Sequence, residues 1–447
     1  MTPYRIGSGA GYAGDRIDPA ADLAARGALD ALVFECLAER TIALAQLRRL
    51  HDPDAGFDPL LADRLRGVLP ACLRQGTVVL TNMGAANPQA AGRVALQVAA
   101  ELGLPRLRVA VVEGDDVMPW LRQHDVPLID DPRRASDLRE TLVSANAYLG
   151  ADALLPALAG GADLVITGRV ADPALFLAPL VHAFGWRADD WDRLGQGIVV
   201  GHLLECAAQV SGGYLADPGV LDVPDLAAVG FPLAEVQPDG SAVVTKLPGT
   251  GGRVDRLSVT AQLLYEIEDP AAYLQPDVVA DFRVVRLHDE GGDRVQVQGG
   301  RGRERPARLK VTLGHRDGWI GEGQMSYAGP GAVARGRLAL DIVRQRLGRL
   351  GLGGAEQRLE LIGVDALHGE PRGRDREPYE VRLRVAVRCA TRAQAERVVH
   401  EVEALYLNGP AAGGGATGSV REVIAAASAL VPREAAVPRT TWMEHRA

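Results

Sequence analysis

The sequence predicts an α/β protein: a mostly parallel sheet in an N-terminal domain, then a second α+β domain containing ferredoxin-like elements. Three observations carry this. Short uninterrupted apolar runs alternate with helical stretches through the first half, and buried strands separated by helices mark a parallel sheet covered on both faces. Three of those runs end in small polar loops. After about Asp217, glycine and proline punctuate shorter strands, which sets the domains at residues 1–216 and 217–447.

Taken in order, Arg5-Ile6 leads into a glycine-rich loop, and Asp18-Pro19 starts a helix as N-cap followed by proline at the first helical position. Ala31–Phe34 is a buried strand. Thr77–Thr81 is a second, followed by a loop and a helix from Asn87-Pro88. Leu107–Val112 is a third and Leu164–Thr167 a fourth. A helix over Gly201–Val210 closes this half. In the second half, strands are expected at Ala242–Lys246, Asp281–Leu287, Arg294–Gln298 and Leu309–Thr312, with a solvated loop over Arg301–Arg308. An arginine-rich helix covers 332–349, and Val381–Arg388 alternates as a half-buried strand. A helix Arg392–Tyr406, a loop Asn408–Gly415 and a last helix Val420–Ala429 complete the reading.

The 447 residues are 47% hydrophobic and 24% charged, with a net charge of −8. That is a globular composition, and it argues against a nucleic-acid or anionic-membrane partner, since no excess positive charge exists to neutralise phosphates. Cys36, Cys72, Cys206 and Cys389 lie far apart without metal-type spacing and read as free thiols of a reducing cytoplasm. Neither a secretory signal nor a transmembrane span is expected. Of 49 basic residues only Lys246 and Lys310 are lysine, and the asparagines number four, Asn82, Asn87, Asn146 and Asn408. Such a bias, typical of GC-rich coding, points to the survivors as positions where a replacement fails.

Ligands of open parallel sheets sit beyond the carboxyl ends of the strands. Here those ends carry Asn82 to Asn87 with Gly84, Glu113 to Asp116 with Asp115, and Gly168-Arg169 with Asp172. Ordinary turn chemistry explains any one of them; the set of three favours a site. Gly9-Ala10-Gly11-Tyr12-Ala13-Gly14 matches G-x-G-x-x-G, but the helix starts too late for a dinucleotide fingerprint, so a tight anion-binding or substrate-covering loop is preferred, with Asp15 and Arg16 at its end. His202, Glu205 or Cys206, and Gln209 share one helical face. Glu205 is the better chemical group, because its charge raises the pKa of the adjacent thiol. Lys246 enters Leu247-Pro248-Gly249-Thr250-Gly251-Gly252, whose backbone amides at Thr250, Gly251 and Gly252 are read as an anion cradle, whereas Lys310 looks structural. No metal motif is present.

TNMGAANP (81–88), VVEGDDV (111–117), SANAYLGA (144–151), GADLVITGRVADPAL (161–175), GHLLECAAQVSGG (201–213), TKLPGTGG (245–252) and QLLYEIEDPAAYLQPDV (262–278) together resemble the acyclic terpene utilisation, or AtuA-like, family. The resemblance runs from about Arg5 to Pro438. One departure is Ala85-Ala86, where a further glycine is expected. The extra small C-terminal domain of some members is not expected. The resemblance implies an acyl-thioester context, the bacterial breakdown of citronellol- and geraniol-type acids as CoA thioesters, with no defined step for this family.

The resulting expectation is a cytoplasmic, homo-oligomeric enzyme acting on a branched or functionalised acyl-CoA-type thioester or carboxylic acid, by hydration/dehydration or carbon–carbon cleavage. Catalytic candidates are Glu205, Cys206, Asp172 and Lys246. Substrate-binding candidates are Asn82, Gly84, Asp115, Asn146, Arg169, Gln209, Thr250, Gly251 and Gly252. No cofactor or metal is expected beyond CoA as a substrate moiety. The alternatives are a thioester hydrolase or acyl transferase using Cys206, a non-catalytic subunit of a carboxylase or lyase assembly, and an NAD(P)-dependent enzyme.

Overall fold

In the computed structural model, which describes residues 2–129, 131–369 and 377–446, the apolar runs of the first half become neighbouring parallel strands. These are β1 (Tyr4–Ala10), β2 (Ala31–Phe34), β3 (Val78–Thr81), Leu164–Thr167 and β4 (Arg106–Glu113), in that spatial order. The two-residue period of a strand sends alternate side chains to opposite faces. Ala31 and Val33 pack under the helices Asp172–Phe184 and Trp191–Glu205, while Leu32 and Phe34 pack against α1 (Asp18–Arg26), α3 (Leu61–Gln75) and α4 (Pro88–Glu101). A further helix of this half, α2 (Glu39–His51), follows β2.

The sheet is mixed rather than mostly parallel. Antiparallel strands Pro232–Val236, Ala242–Lys246, Arg294–Gln298 and Arg286–Asp289 extend it beyond β1, and Arg439–Arg446 caps β4 at the other edge. Ten strands result. The parallel centre comes wholly from residues 4–167 and every antiparallel strand from beyond 231.

The chain divides into two compact units, Met1–Gly314 with Ala426–Ala447, and His315–Ala425. The long strands Arg308–Ala328 and Gly414–Pro432 carry the chain from the first to the second and back. The second unit follows a strand–helix–strand–strand–helix–strand order, with helices Ala332–Arg349 and Arg392–Glu403. Its strands lie in the order Gln357–Ile362, Glu380–Cys389, Arg308–Ala328, Gly414–Pro432, an arrangement of the split-βαβ kind. Met325, Tyr327, Leu383 and Val385 form its core.

Four expectations are corrected. The last helix over Val420–Ala429 is instead part of the strand Gly414–Pro432: the alanine run favours helix, but Val420, Val423 and Ile424 suit a sheet edge, and pairing overrides propensity. The strand Asp281–Leu287 is two strands, Val279–Asp281 and Arg286–Asp289, interrupted where the Asp281 carboxylate accepts the Arg283 N–H at 3.0 Å. The loop Arg301–Arg308 holds a short strand, Arg301–Arg303, paired with Val279–Asp281. The helix over Gly201–Val210 runs earlier, Trp191–Glu205, and stops because Ala207 takes a left-handed backbone at φ 43°. No described helix is long and apolar enough to cross a membrane.

Candidate functional site

Parallel neighbours bring the carboxyl ends of β2, β3, Leu164–Thr167 and β4 to one edge of the sheet. Glu35 follows β2 directly and is 7% exposed. Its Oε1 accepts from Asn82 Nδ2 and from the Leu37 amide, both at 2.9 Å. Asn82 is fully buried, and its Oδ1 accepts the Cys36 amide at 2.8 Å. Both ends of that side-chain amide are therefore committed, so Asn82 positions Glu35 rather than reaching for a ligand. Burial holds the Glu35 carboxyl well above its usual range, the Asp172 charge adds to this, and Arg169 opposes it.

Arg169, 1% exposed, is the centre of the arrangement. Its guanidinium donates to the Val170 carbonyl at 2.7 Å, to the Leu37 carbonyl and to Asp172 Oδ1. The Tyr148 ring lies 4.5 Å from its Cζ, a cation–π contact. This cation is fully engaged within the protein; it fixes Asp172. Asp172 opens the helix Asp172–Phe184, and its side chain is 37% exposed, within reach of solvent. Burial raises its pKa to about 7; Arg169 opposes the rise, and the charges of Glu205 and Glu39 reinforce it.

On the far side of Arg169, Asp115 Oδ2 accepts the Arg169 amide at 2.9 Å and Asn146 Nδ2 at 2.8 Å. Burial lifts this carboxyl to about 6. Gly168 is required here, since a Cβ would lie 2.8 Å from both Asp115 oxygens.

Glu205 ends its helix with Oε1 2.9 Å from His202 Nδ1. Glu205 Oε2 and His202 Nε2 are both buried without a partner. The rings of Tyr273 and Phe282 each stand 5.6 Å from the imidazole. Cys206 is half-buried, and burial followed by the Glu205 charge pushes its thiol up. Gln209 lies beyond the helix end, in the turn Ala207–Gln209.

The glycine motif after β1 serves the chain's own packing. A Cβ at Gly9 would strike the Phe34 ring at 2.7 Å, and one at Gly11 would lie 2.5 Å from the Cys206 carbonyl carbon. The loop therefore closes over Cys206. Arg64, fully buried, holds it there by donating to the carbonyls of Tyr12, Ala13 and Asp15 at 3.3, 3.0 and 3.2 Å.

The Lys246 turn is built differently from an anion cradle. The amides of Thr250, Gly251 and Gly252 donate to the carbonyls of Leu247, Ala228 and Pro224. Lys246 Nζ donates to the Thr250 carbonyl at 2.8 Å and pairs with Asp293 at 3.0 Å. Cβ atoms at Gly251 and Gly252 would overlap the Asp225 and Ser211 carbonyls. These glycines permit close chain packing, and the lysine's charge is met by the Thr250 carbonyl and by Asp293.

Two cavities flank the loop after β3. One, of about 310 Å³, is lined mainly by apolar groups including Leu37, Leu44, Leu60, Met83 and Ala85, with Cys36 in its wall. The other, of about 170 Å³, is polar and is lined by Arg49, Glu113, Asp115, Asp116 and Asn146. Gly84, in that loop, lets it pass close to the neighbouring strand end: a Cβ there would meet the Thr167 carbonyl at 2.6 Å. Among the described residues no group of acidic, histidine and cysteine side chains has a metal-binding arrangement.

The structure thus gathers Asn82, Gly84, Asp115, Asn146, Arg169 and Asp172 at the parallel strand ends, with Glu205 in electrostatic range of Asp172 and of Cys206, and gives Lys246, Thr250, Gly251 and Gly252 a turn of their own. Sequence reasoning missed Glu35, Glu39, Arg64 and Tyr148. The strand-end rule, extended to β2, would have found Glu35. Arg64 gives no signal, being one arginine among many on a helix.

Among known proteins, a family model described as acyclic terpene utilisation family protein AtuA matches residues 4–442. No curated protein and no solved structure matches the chain. The family match spans every strand end that builds the carboxylate cluster around Arg169. On that coverage, the chain belongs to the acyclic terpene utilisation family.

Proposed function

We propose that the protein is a proton-transfer enzyme of the lyase type, acting on a branched or functionalised acyl-CoA-type thioester or carboxylic acid by hydration/dehydration or carbon–carbon cleavage. The observation that carries this reading is the Arg169–Asp172 pair set against Glu35 and the His202–Glu205 pair. Buried carboxyl groups beside one fixed cation, with those of Glu35 and Asp172 raised by burial, are the equipment of general acid–base chemistry. Asp172, whose carboxyl burial raises against the opposing Arg169 charge, delivers a proton to a departing β-hydroxyl. Glu205, with Oε2 unpartnered, takes the proton from the carbon next to the thioester carbonyl. The C–O bond breaks, the double bond forms between those carbons, and water leaves. The Gly84 amide is the candidate donor to the thioester oxygen. Arg169 and Asn82 are positioning residues for Asp172 and Glu35, and the apolar cavity suits an aliphatic portion.

The raised thiol of Cys206 weighs against the hydrolase or acyl-transferase alternative, since the thiolate is the nucleophile. The test is interconversion of α,β-unsaturated and β-hydroxy branched acyl-CoA thioesters, followed by loss or gain of the conjugated absorbance. Turnover by the wild type, lost about 100-fold in Asp172→Asn and kept in Cys206→Ser, supports the proposal. Inertness toward all these thioesters, in a chain that co-purifies with a carboxylase or lyase, would replace it with the non-catalytic reading.

A further inference from the structure

α2 has an unusual footing. Of its buried residues Ile42, Ala43, Ala45 and Leu47, Ile42 and Ala45 join a small cluster with Leu37, Ala85 and Ala86, separate from the two large cores that hold α1, α3, α4 and the helices Asp172–Phe184 and Trp191–Glu205. Thr41, Leu44, Ala45 and Arg48 wall the apolar cavity, and Gln46 and Arg49 wall the polar one, so α2 covers both. At its first residue, Glu39 Oε1 accepts from the Tyr148 hydroxyl at 2.6 Å and from Lys310 Nζ at 3.0 Å. Lys310 Nζ lies 4.9 Å from the Tyr148 ring centre, and Arg169 Cζ lies 4.5 Å from it. The ring is thus held by two cations, one of which fixes Asp172. Glu39 is held at about 2: burial works against this, and the Tyr148 hydroxyl, its own backbone and Lys310 outweigh it. The acceptor of this arrangement is therefore charged at any neutral pH.

We propose that Glu39, Tyr148 and Lys310 form a latch that keeps α2 closed over the apolar cavity, and that an uncharged aliphatic group enters the cavity when the latch releases. An element resting on few apolar contacts opens locally at low cost, as ligand-gating elements do. The latch joins that motion to the site, because Tyr148 also packs on Arg169. Lys310, which the sequence marks as structural, is on this account a positioning residue acting on α2.

Cys36 reports the motion. It is 3% exposed and lines the cavity, whereas Cys72, 1% exposed, sits within α3 and the second core. The experiment needs no substrate turnover, so its outcome is independent of the reaction proposed above. Native full-length wild type, Lys310→Met and Tyr148→Phe are treated with iodoacetamide, and alkylation of each cysteine is followed by peptide mass. Removing one hydrogen bond to a charged group should raise Cys36 alkylation about ten-fold or more, with Cys72 unchanged and faster amide exchange over 39–51. Addition of 1-octanol should slow Cys36 again. A Cys36 rate within about two-fold of wild type in both variants, or Cys36 and Cys72 rising together, would overturn the latch. Failure of 1-octanol to protect Cys36 would overturn the aliphatic assignment.

Discussion

Replacing Asp115 with asparagine should remove about 2 kcal/mol of the stability that the protein loses between acid and neutral pH. Asp115 is 6% exposed, and its pKa is raised from 3.8 to about 6 by burial. A carboxyl whose folded pKa is raised binds its proton more tightly when folded. Its favourable contribution is present below the unfolded value and is lost as pH rises through about 6. At about 1.4 kcal/mol per pKa unit, the full ionisation cost is about 3 kcal/mol, of which about 2 kcal/mol develops between pH ~4.5 and ~7.5. The carboxamide of the Asp115→Asn variant is neutral throughout. Its oxygen can replace Oδ2, the one oxygen of Asp115 that accepts both the Arg169 amide and Asn146 Nδ2. Urea unfolding of both proteins at the two pH values gives the double difference directly. The wild type should lose about 2 kcal/mol more than the variant on going to the higher pH. An equal loss in both proteins would refute the assignment of that cost to Asp115.

Other outcomes follow from the same structure. Ala85 stands in the left-handed region at φ 46°, so Ala85→Gly should raise stability by about 1 kcal/mol in thermal or urea unfolding. Arg64→Leu leaves Asp58 buried without its 3.4 Å ion-pair partner and takes the Arg64 donor from three loop carbonyls; it should cost about 3–5 kcal/mol by urea unfolding and loosen amide exchange over the Gly9–Gly14 loop. With its thiol pushed up by burial and by Glu205, Cys206 should alkylate far more slowly than free cysteine at neutral pH, and Cys206→Ser should retain turnover.

The parallel centre was legible because buried strands leave the simplest signal available, a short apolar run. β2 and the strands Ala242–Lys246 and Arg294–Gln298 stand where that signal puts them, and Asn87 caps α4 by accepting the Ala90 amide at 3.3 Å. The antiparallel extension was not legible, because which edge a later strand joins depends on long-range pairing rather than local pattern. The same holds for Gly414–Pro432, where an alanine-rich segment is recruited to a sheet. At the site, the strand-end rule located Asn82, Asp115, Arg169 and Asp172 as a group. It could not say that Asn82 and Arg169 would be consumed in holding Glu35 and Asp172, since that depends on which atoms face which. The two scarce lysines exchange their expected meanings for a similar reason. Lys246 closes its own turn, while Lys310 meets Glu39 across 271 residues of sequence, a pairing that no window on the chain contains. A further glycine was expected by resemblance at Ala85-Ala86, and of the two positions Ala85 has the positive φ.

The central claim is that the Asp172 cluster moves a proton at the carbon next to a thioester carbonyl. It is tested most directly by incubating a branched β-hydroxyacyl-CoA with the protein in D2O and following deuterium at that carbon by NMR. The account predicts incorporation by the wild type and by Lys246→Met, with a loss of about 100-fold or more in Glu205→Gln. Incorporation undiminished in Glu205→Gln, or none by the wild type, would contradict it.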